Sequence, residues 1–343
     1  MKILIIRLSS LGDVALTFPA LNMLLKAHPD WEIDYLTHKP YVKLVQTVEG
    51  VRNVYSIDKK GLGKLHGLSI VEAMQTIKSI HFERYDVVVD FHSYAETGLL
   101  ATLTNAPLKI GRGRASSIFY DKHFGNRLED KPIWYTHVQT LVKAGFLDET
   151  QLEKIPDYFY VSENAEFAEK VNKWFKYQQI DEEVFKLGLF ISASKSQKCW
   201  SNDLYLDFVE QIIENFESLQ VIVIGSLDDE IQQGEFLNSV KKRQNINAEF
   251  AGKVKFFWYS SPELLEIVEI DRKLDFFVSN DTGPYHLAIL SGVQTIGLFQ
   301  KPLHPFFPPS HHEVIVAPDA DLKKLKANIV AEAFNNLINL NSV

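Results

Sequence analysis

The sequence predicts an α/β protein built from two doubly wound, parallel-sheet domains. Three observations carry that reading. Short runs rich in Ile, Val and Leu alternate with stretches of helical apolar spacing, as expected for strands buried on both faces and joined by crossover helices. The alternation pauses near residue 150 and restarts near residue 185. A chain of 343 residues also exceeds what a single hydrophobic core usually holds.

The elements follow in order. Residues 2–7 read as a buried first strand and Ser9-Ser10-Leu11-Gly12-Asp13 as a polar turn. Residues 14–27 carry apolar side chains at helical spacing, stopped by Pro29-Asp30. A strand at 32–37, a short helix at 41–47, a strand at 54–57 and a helix at 69–80 come next. Residues 85–90, with Val87-Val88-Val89, form a strand that ends in a carboxylate. The second half repeats the scheme, with strands at 185–192, 220–224, 274–279 and 294–299, the last read as closing the sheet. Helices at 204–216, 231–242, 262–270 and 284–291 alternate with them, and 322–340 is amphipathic and helical. The expected domains are 1–165 and 166–325. The terminal helix, 326–343, is a separate element able to pack back on the first domain.

Composition excludes several classes. A hydrophobic share of 46% against a charged share of 23% is that of a soluble globular chain. No run approaches the roughly 20 apolar residues of a membrane-spanning helix. Arg7 interrupts the first apolar run too early for a signal-peptide core. The single cysteine, Cys199, forbids an internal disulfide and suits a reducing, cytoplasmic compartment. The net charge of −8 is uneven: residues 1–150 hold 18 Lys+Arg and 16 Asp+Glu, and residues 151–343 hold 18 and 28. Without a concentrated basic stripe, nucleic acid is not an expected partner. The N-terminal half is the better match for an anionic one.

Three strand-to-helix junctions carry candidate chemistry. In open parallel sheets ligands bind beyond the carboxyl ends of the strands. In the first junction, residues 7–13, Ser9, Ser10 and Gly12 form the turn. Asp13 is either a helix N-cap or a general base. The second is Ser279-Asn280-Asp281-Thr282-Gly283-Pro284-Tyr285-His286-Leu287. Gly283 frees the backbone, and Pro284 suits a first helical turn whose unused N–H groups fit a diphosphate. Asp281 is placed to orient a sugar or fix the loop, and His286 faces either ligand or core. The third is Ser194-Lys195-Ser196-Gln197-Lys198-Cys199-Trp200, a solvated loop or a phosphate site with Lys198 as its point charge and Trp200 as its anchor. Arg112 and Arg114, between glycines in 109–114, suit bidentate contact with an anion or stand in a solvated loop. His123, His137, His304, His311 and His312 show no metal-ligand spacing.

The stretch Ile6-Arg7-Leu8-Ser9-Ser10-Leu11-Gly12-Asp13-Val14, with Pro19-Ala20-Leu21, resembles the opening of bacterial lipopolysaccharide heptosyltransferases, glycosyltransferase family 9. Residues 279–288 resemble that family's donor motif, and Lys198-Cys199-Trp200 its Lys-x-Trp segment. The resemblance implies a GT-B fold, two Rossmann-like domains facing across a cleft. It implies inverting, metal-independent heptose transfer from ADP-heptose, or a related nucleotide-diphosphate sugar, to the inner core of lipopolysaccharide. No cofactor is implied. Asp13 is then the catalytic base and Lys198 the group that stabilises the leaving diphosphate. Ser194, Asp281, Thr282, Gly283, Pro284 and His286 hold the donor. The resemblance transfers no acceptor motif; the first half's charge balance and its glycine-framed arginines make Ser9, Ser10, Gly12, Arg112 and Arg114 the expected contacts of an anionic, lipid-linked saccharide at the cytoplasmic face of the inner membrane. Two departures stand out: the loop at 300–305 lacks the family's Gly-x-Thr, and 254–260 is unusually aromatic, so both regions are candidates for donor contact. The rivals are a nucleotide-sugar epimerase and a catalytically silent nucleotide-sugar-binding protein.

Overall fold

A computed structural model describes residues 1–58, 67–113, 117–126, 128, 130–153, 161–193, 198–225, 230–301, 308 and 312–340. The chain divides into two compact units between Ser162 and Glu163. Among the described residues each unit carries a six-stranded sheet in which every pairing is parallel.

In the first unit the strands are β1 (Lys2–Ile6), β2 (Glu32–His38), β3 (Val51–Ile57), β4 (Val87–Asp90), β5 (Leu108–Gly111) and β6 (Lys122–His123). Their order is β3-β2-β1-β4-β5-β6. Helices α1 (Leu11–Ala15), α2 (Phe18–Ala27), α3 (Val42–Val45), α4 (Gly67–Phe82), α5 (Ala95–Leu103) and α6 (Ile133–Ala144) connect and cover them. Ile3 pairs with Val87 and Ile6 with Asp90, so β1 and β4 end level at the point where the strand order reverses. Ligands bind at such switch points.

The second unit repeats the order. Its strands β7 (Lys186–Phe190), β8 (Leu219–Gly225), β9 (Val254–Ser260), β10 (Phe276–Asn280), β11 (Thr295–Phe299) and β12 (Glu313–Val316) lie as β12-β11-β10-β7-β8-β9. The reversal falls between β7 and β10, where Phe276 faces Leu187 and Ser279 faces Phe190. Helices α7 (Ala165–Gln178), α8 (Asn202–Ile212), α9 (Glu230–Ile246), α10 (Ala248–Lys253), α11 (Leu264–Asp271), α12 (Gly283–Ser291) and α13 (Ala327–Leu340) complete the unit.

Several elements differ from expectation, each for a physical reason. The helix at 14–27 is two helices, with Thr17 capping the second and Pro19 in its first turn. Proline has no N–H and clashes with the carbonyl four residues back, so one ladder cannot run through it. Strand 294–299 does not close its sheet, because β12 pairs outside it. The aromatic segment 254–260 is the edge strand β9, paired along its length with β8. Its rings serve packing: Phe256 meets Phe236 and Phe250, and Trp258 covers Gly225, where a Cβ would sit 2.4 Å from the ring. Tyr259 Oη donates to Glu266. Phe256, Phe257 and Trp258 are half-buried and Tyr259 is buried. The loop read at 109–114 begins as strand β5.

The terminal helix α13 packs into the core of the second unit. Val330 and Phe334 are fully buried there, and Phe334 stands edge-on to Phe208 and Phe276. Among the described residues no helix is long and apolar enough to cross a membrane.

Candidate functional site

At the first unit's switch point a cavity of about 480 Å³ opens over the ends of β1, β4 and β5. Asp13, Ser9 and Ser10 line it from the loop after β1, Asp90 to Tyr94 from the loop after β4, and Arg112 from the end of β5. Gly12 lies buried in the first turn of α1.

Asp13 is not the N-cap of α1. Ser10 occupies that position, and Asp13 is the third helical residue, reaching back as half of a capping box. Its Oδ2 accepts the Ser10 N–H at 2.8 Å and the Ser10 hydroxyl at 2.9 Å. Its Oδ1 lies 2.6 Å from Arg7 Nη2. Arg7 is buried, and its Nη1 donates to the Phe91 carbonyl at 2.6 Å.

The loop after β4 was not singled out by any motif; its one signal was a carboxylate ending an apolar strand. Asp90 is buried and accepts N–H bonds from His92 at 2.8 Å and Ser93 at 2.9 Å, plus the Tyr120 hydroxyl at 2.7 Å. Burial pushes its carboxyl above the ordinary range, and these bonds with that of Thr97 restrain the rise. Ser93 holds a left-handed φ of 57° there, a conformation rare outside Gly, Asn and Asp. Its hydroxyl in turn accepts the Arg112 N–H at 2.9 Å. His92 and His137 are buried in the cavity wall.

Arg112 stands in neither a solvated loop nor an open grip. Its side chain is buried, with Nε on Thr140 Oγ1 at 2.7 Å, Nη2 on Gln139 Oε1 at 2.6 Å and Nη1 on the Asn126 carbonyl at 3.1 Å. These partners are neutral, and burial drives the guanidinium down to about 10. Arg114 lies outside the described residues, as does Ser194.

In the second unit the switch point is braced by Asn280, fully buried at the end of β10. Its Oδ1 accepts the Trp200 N–H at 3.0 Å and its Nδ2 donates to the Ile191 carbonyl at 3.2 Å, tying the loop after β7 to β10. Trp200 is buried, and its indole donates to the Leu325 carbonyl at 2.8 Å. So held, Lys198 puts its Nζ 2.9 Å from Asp281 Oδ2. The following residues open α12: Thr282 is its N-cap, without a cap bond from its own side chain, and Pro284 stands in its first turn. A helix N-terminus beside a lysine suits an anion. His286 is buried, its ring edge-on to that of Tyr285. Among the described residues no three His, Cys, Asp or Glu side chains are grouped to hold a metal ion.

Comparison with known proteins gives likenesses in both sequence and structure. The sequence matches the profile of Glycosyltransferase family 9 (heptosyltransferase) over residues 73–331. It is 22% identical over 312 residues to lipopolysaccharide heptosyltransferase 1 of Campylobacter coli, covering 87% of this chain and 84% of that protein. Among solved structures it is similar to a family 9 glycosyl transferase from Veillonella parvula, with a TM-score of 0.81, 18% identity and coverage of 98% of this chain and 96% of that one. It is also similar to the E. coli heptosyltransferase WaaC with ADP-2-deoxy-2-fluoro heptose, with a TM-score of 0.71, 18% identity and coverage of 98% and 99%.

Proposed function

The chain belongs to glycosyltransferase family 9, the heptosyltransferases, with the GT-B fold and glycosyltransferase activity that go with it, and from that premise we propose how it acts and on what. The donor is ADP-heptose and the acceptor the inner core of lipopolysaccharide, met at the cytoplasmic face of the inner membrane. Transfer is inverting and needs no metal. The observation that carries this reading is Lys198 beside Asp281 at the start of α12, a cation at a helix N-terminus where a diphosphate would leave.

Asp13 takes the proton of an acceptor hydroxyl as its oxygen attacks the anomeric carbon. Such transfer contributes typically ~10²–10⁴-fold. The new C–O bond forms as the bond to the diphosphate breaks, and the electron pair leaves with ADP. Lys198 turns from Asp281 to the departing diphosphate, and the α12 N–H groups from Gly283 onward share its charge. Each preorganised donor of this kind is worth on the order of 3 kcal/mol. Asp281, released, orients the heptose hydroxyls. Thr282 adds a hydroxyl at the same turn, and Ser9, Ser10 and Gly12 border the acceptor.

The test is a set of incubations with ADP-heptose, with and without a heptose-deficient inner-core saccharide, in EDTA and in Mg²⁺. ADP release and a product heavier by one heptose, of inverted anomeric configuration and formed equally in EDTA, are expected. Turnover of a nucleotide sugar without acceptor identifies an epimerase. Binding without turnover identifies a silent binding protein. Activity lost in EDTA and restored by Mg²⁺ overturns the metal-free step.

A further inference from the structure

We propose that Arg7 is the positioning residue for Asp13: it fixes which oxygen of that carboxylate receives the proton and where that oxygen points. This rests on the reading of Asp13 as the base. Each oxygen of an ionised carboxylate offers about two acceptor sites. On Asp13 the Oδ2 atom is already filled by the Ser10 N–H and hydroxyl. Among the described residues the Oδ1 atom holds one donor, Arg7 Nη2 at 2.6 Å, which leaves it one acceptor site. A proton abstracted from an acceptor therefore arrives on the oxygen that the guanidinium holds.

The guanidinium is itself fixed. Its Nη1 donates to the Phe91 carbonyl at 2.6 Å, so the planar fork spans the loop after β1 and the end of β4. The loop after β4 is held in turn by Asp90 through the N–H groups of His92 and Ser93. The direction of the remaining Oδ1 site is thus set by rigid strand ends rather than by the short helix that carries Asp13. Arg7 acts on Asp13 through geometry. Its contribution is aim. A displacement of about 1 Å at a reacting group is enough to cost roughly 10²-fold in rate.

The experiment is a double-mutant cycle on the full chain, with ADP-heptose and the heptose-deficient inner-core saccharide, together with melting temperatures. Arg7→Met is expected to lower kcat by about 10- to 100-fold and leave both KM values within about 2-fold. Arg7→Lys keeps the charge but reaches one partner of the two, and its loss is smaller. In an Asp13→Asn background Arg7→Met removes no more than about a further 2-fold, because the group it acts through is gone. If Arg7→Met does not fold, the same cycle is run with Arg7→Lys. A slow Asp13→Asn variant with a near-parent or fully additive Arg7 variant overturns the Arg7 proposal alone. A near-parent Asp13→Asn variant overturns the base, and Arg7's role falls with it.

Discussion

Lys198 and Asp281, 83 residues apart in sequence, close an ion pair of 2.9 Å at the switch point of the second sheet. The pair is unequal. Asp281 is nearly enclosed at 9% side-chain exposure, whereas Lys198 is a third exposed. In the proposed mechanism the more exposed lysine turns toward the ligand, and Asp281 holds it until then.

Removing Lys198 should therefore harm turnover more than binding. Lys198→Ala is expected to lower kcat by about 10²–10³-fold, the range seen when one charge-stabilising donor is lost. Asp281→Ala should raise the donor KM as well, since both the sugar contact and the hold on Lys198 disappear. The double variant should be no slower than the worse single one, because the two act as a unit. Initial-rate kinetics on the three variants check this, and a Lys198→Ala enzyme with parent kcat removes the lysine from the mechanism.

Arg112 should behave as a brace. Its donors reach Thr140, Gln139 and the Asn126 carbonyl, linking the end of β5 to α6. Hydrogen bonds to charged groups contribute about 1.5–3 kcal/mol each, and buried partners left without them add to the loss. Arg112→Met is expected to destabilise the protein by more than about 3 kcal/mol by denaturant unfolding. Acceptor KM rising in a variant of unchanged stability would return Arg112 to the role of a ligand contact.

A second buried charge cluster sits where β1 and β2 begin, away from the switch-point cavity. Asp34 is enclosed and accepts Arg52 Nε at 2.9 Å, Arg52 Nη2 at 2.6 Å, the Asn53 N–H at 3.0 Å and the Tyr85 hydroxyl. Burial pushes its carboxyl up, but the bonds from Arg52 and Tyr85 and the Arg52 charge outweigh that, so its net position is below the ordinary 3.8. Its contribution to stability is therefore complete above about pH 3.8 and fades as pH falls through the lower, folded value. Asp34→Ala should cost on the order of 1–3 kcal/mol at pH 7, from the buried donors left unpaired, because Arg52 keeps Glu32 and Glu83. Urea titrations between pH 7 and 3 should show the gap from parent narrowing only at the acid end. A gap that stays constant over this range means the ionised carboxylate is not what stabilises.

The junctions at Asp13 and Asp281 were legible because a strand period, a turn residue and a helix period follow one another along the chain, and a switch point needs only that order. The pairs that organise these junctions were not. Nothing periodic links Arg7 to Asp13 through a guanidinium that also holds Phe91, or Lys198 to a residue 83 positions on. The aromatic strand β9 was not read as a strand because an edge strand with helices against both faces shows no clean alternation: Phe256 meets α9 and α10, Tyr259 meets α7 and α11, and Phe256, Phe257 and Trp258 are all half-buried. Arg112 looked like a surface arginine because its neutral partners, Thr140 and Gln139, lie on a helix read only by its own pattern.

The last prediction separates what Asp13 holds from what it does. Ser10 is the cap of α1, and Asp13 contributes a back-bond to Ser10 and an ion pair with Arg7. Asn cannot simply replace it in the fold. It keeps an oxygen for the Ser10 N–H but turns a neutral amide toward the guanidinium. A measurable stability loss, on the order of 1–3 kcal/mol, is expected whether or not Asp13 is catalytic. Ala, which loses both contacts, should cost more. The kinetic signature is different. As a base, Asp13→Asn should transfer heptose slower by about 10²-fold or more, with donor KM unchanged, at temperatures where it is fully folded. As a mere staple, its kcat should follow its stability: Asn would lie between parent and Ala, close to parent well below its melting temperature. Catalytic loss equal in Asn and Ala, despite unequal melting temperatures, is the outcome a base requires. A graded loss that tracks melting temperature would leave the proton of the acceptor hydroxyl with no residue to take it.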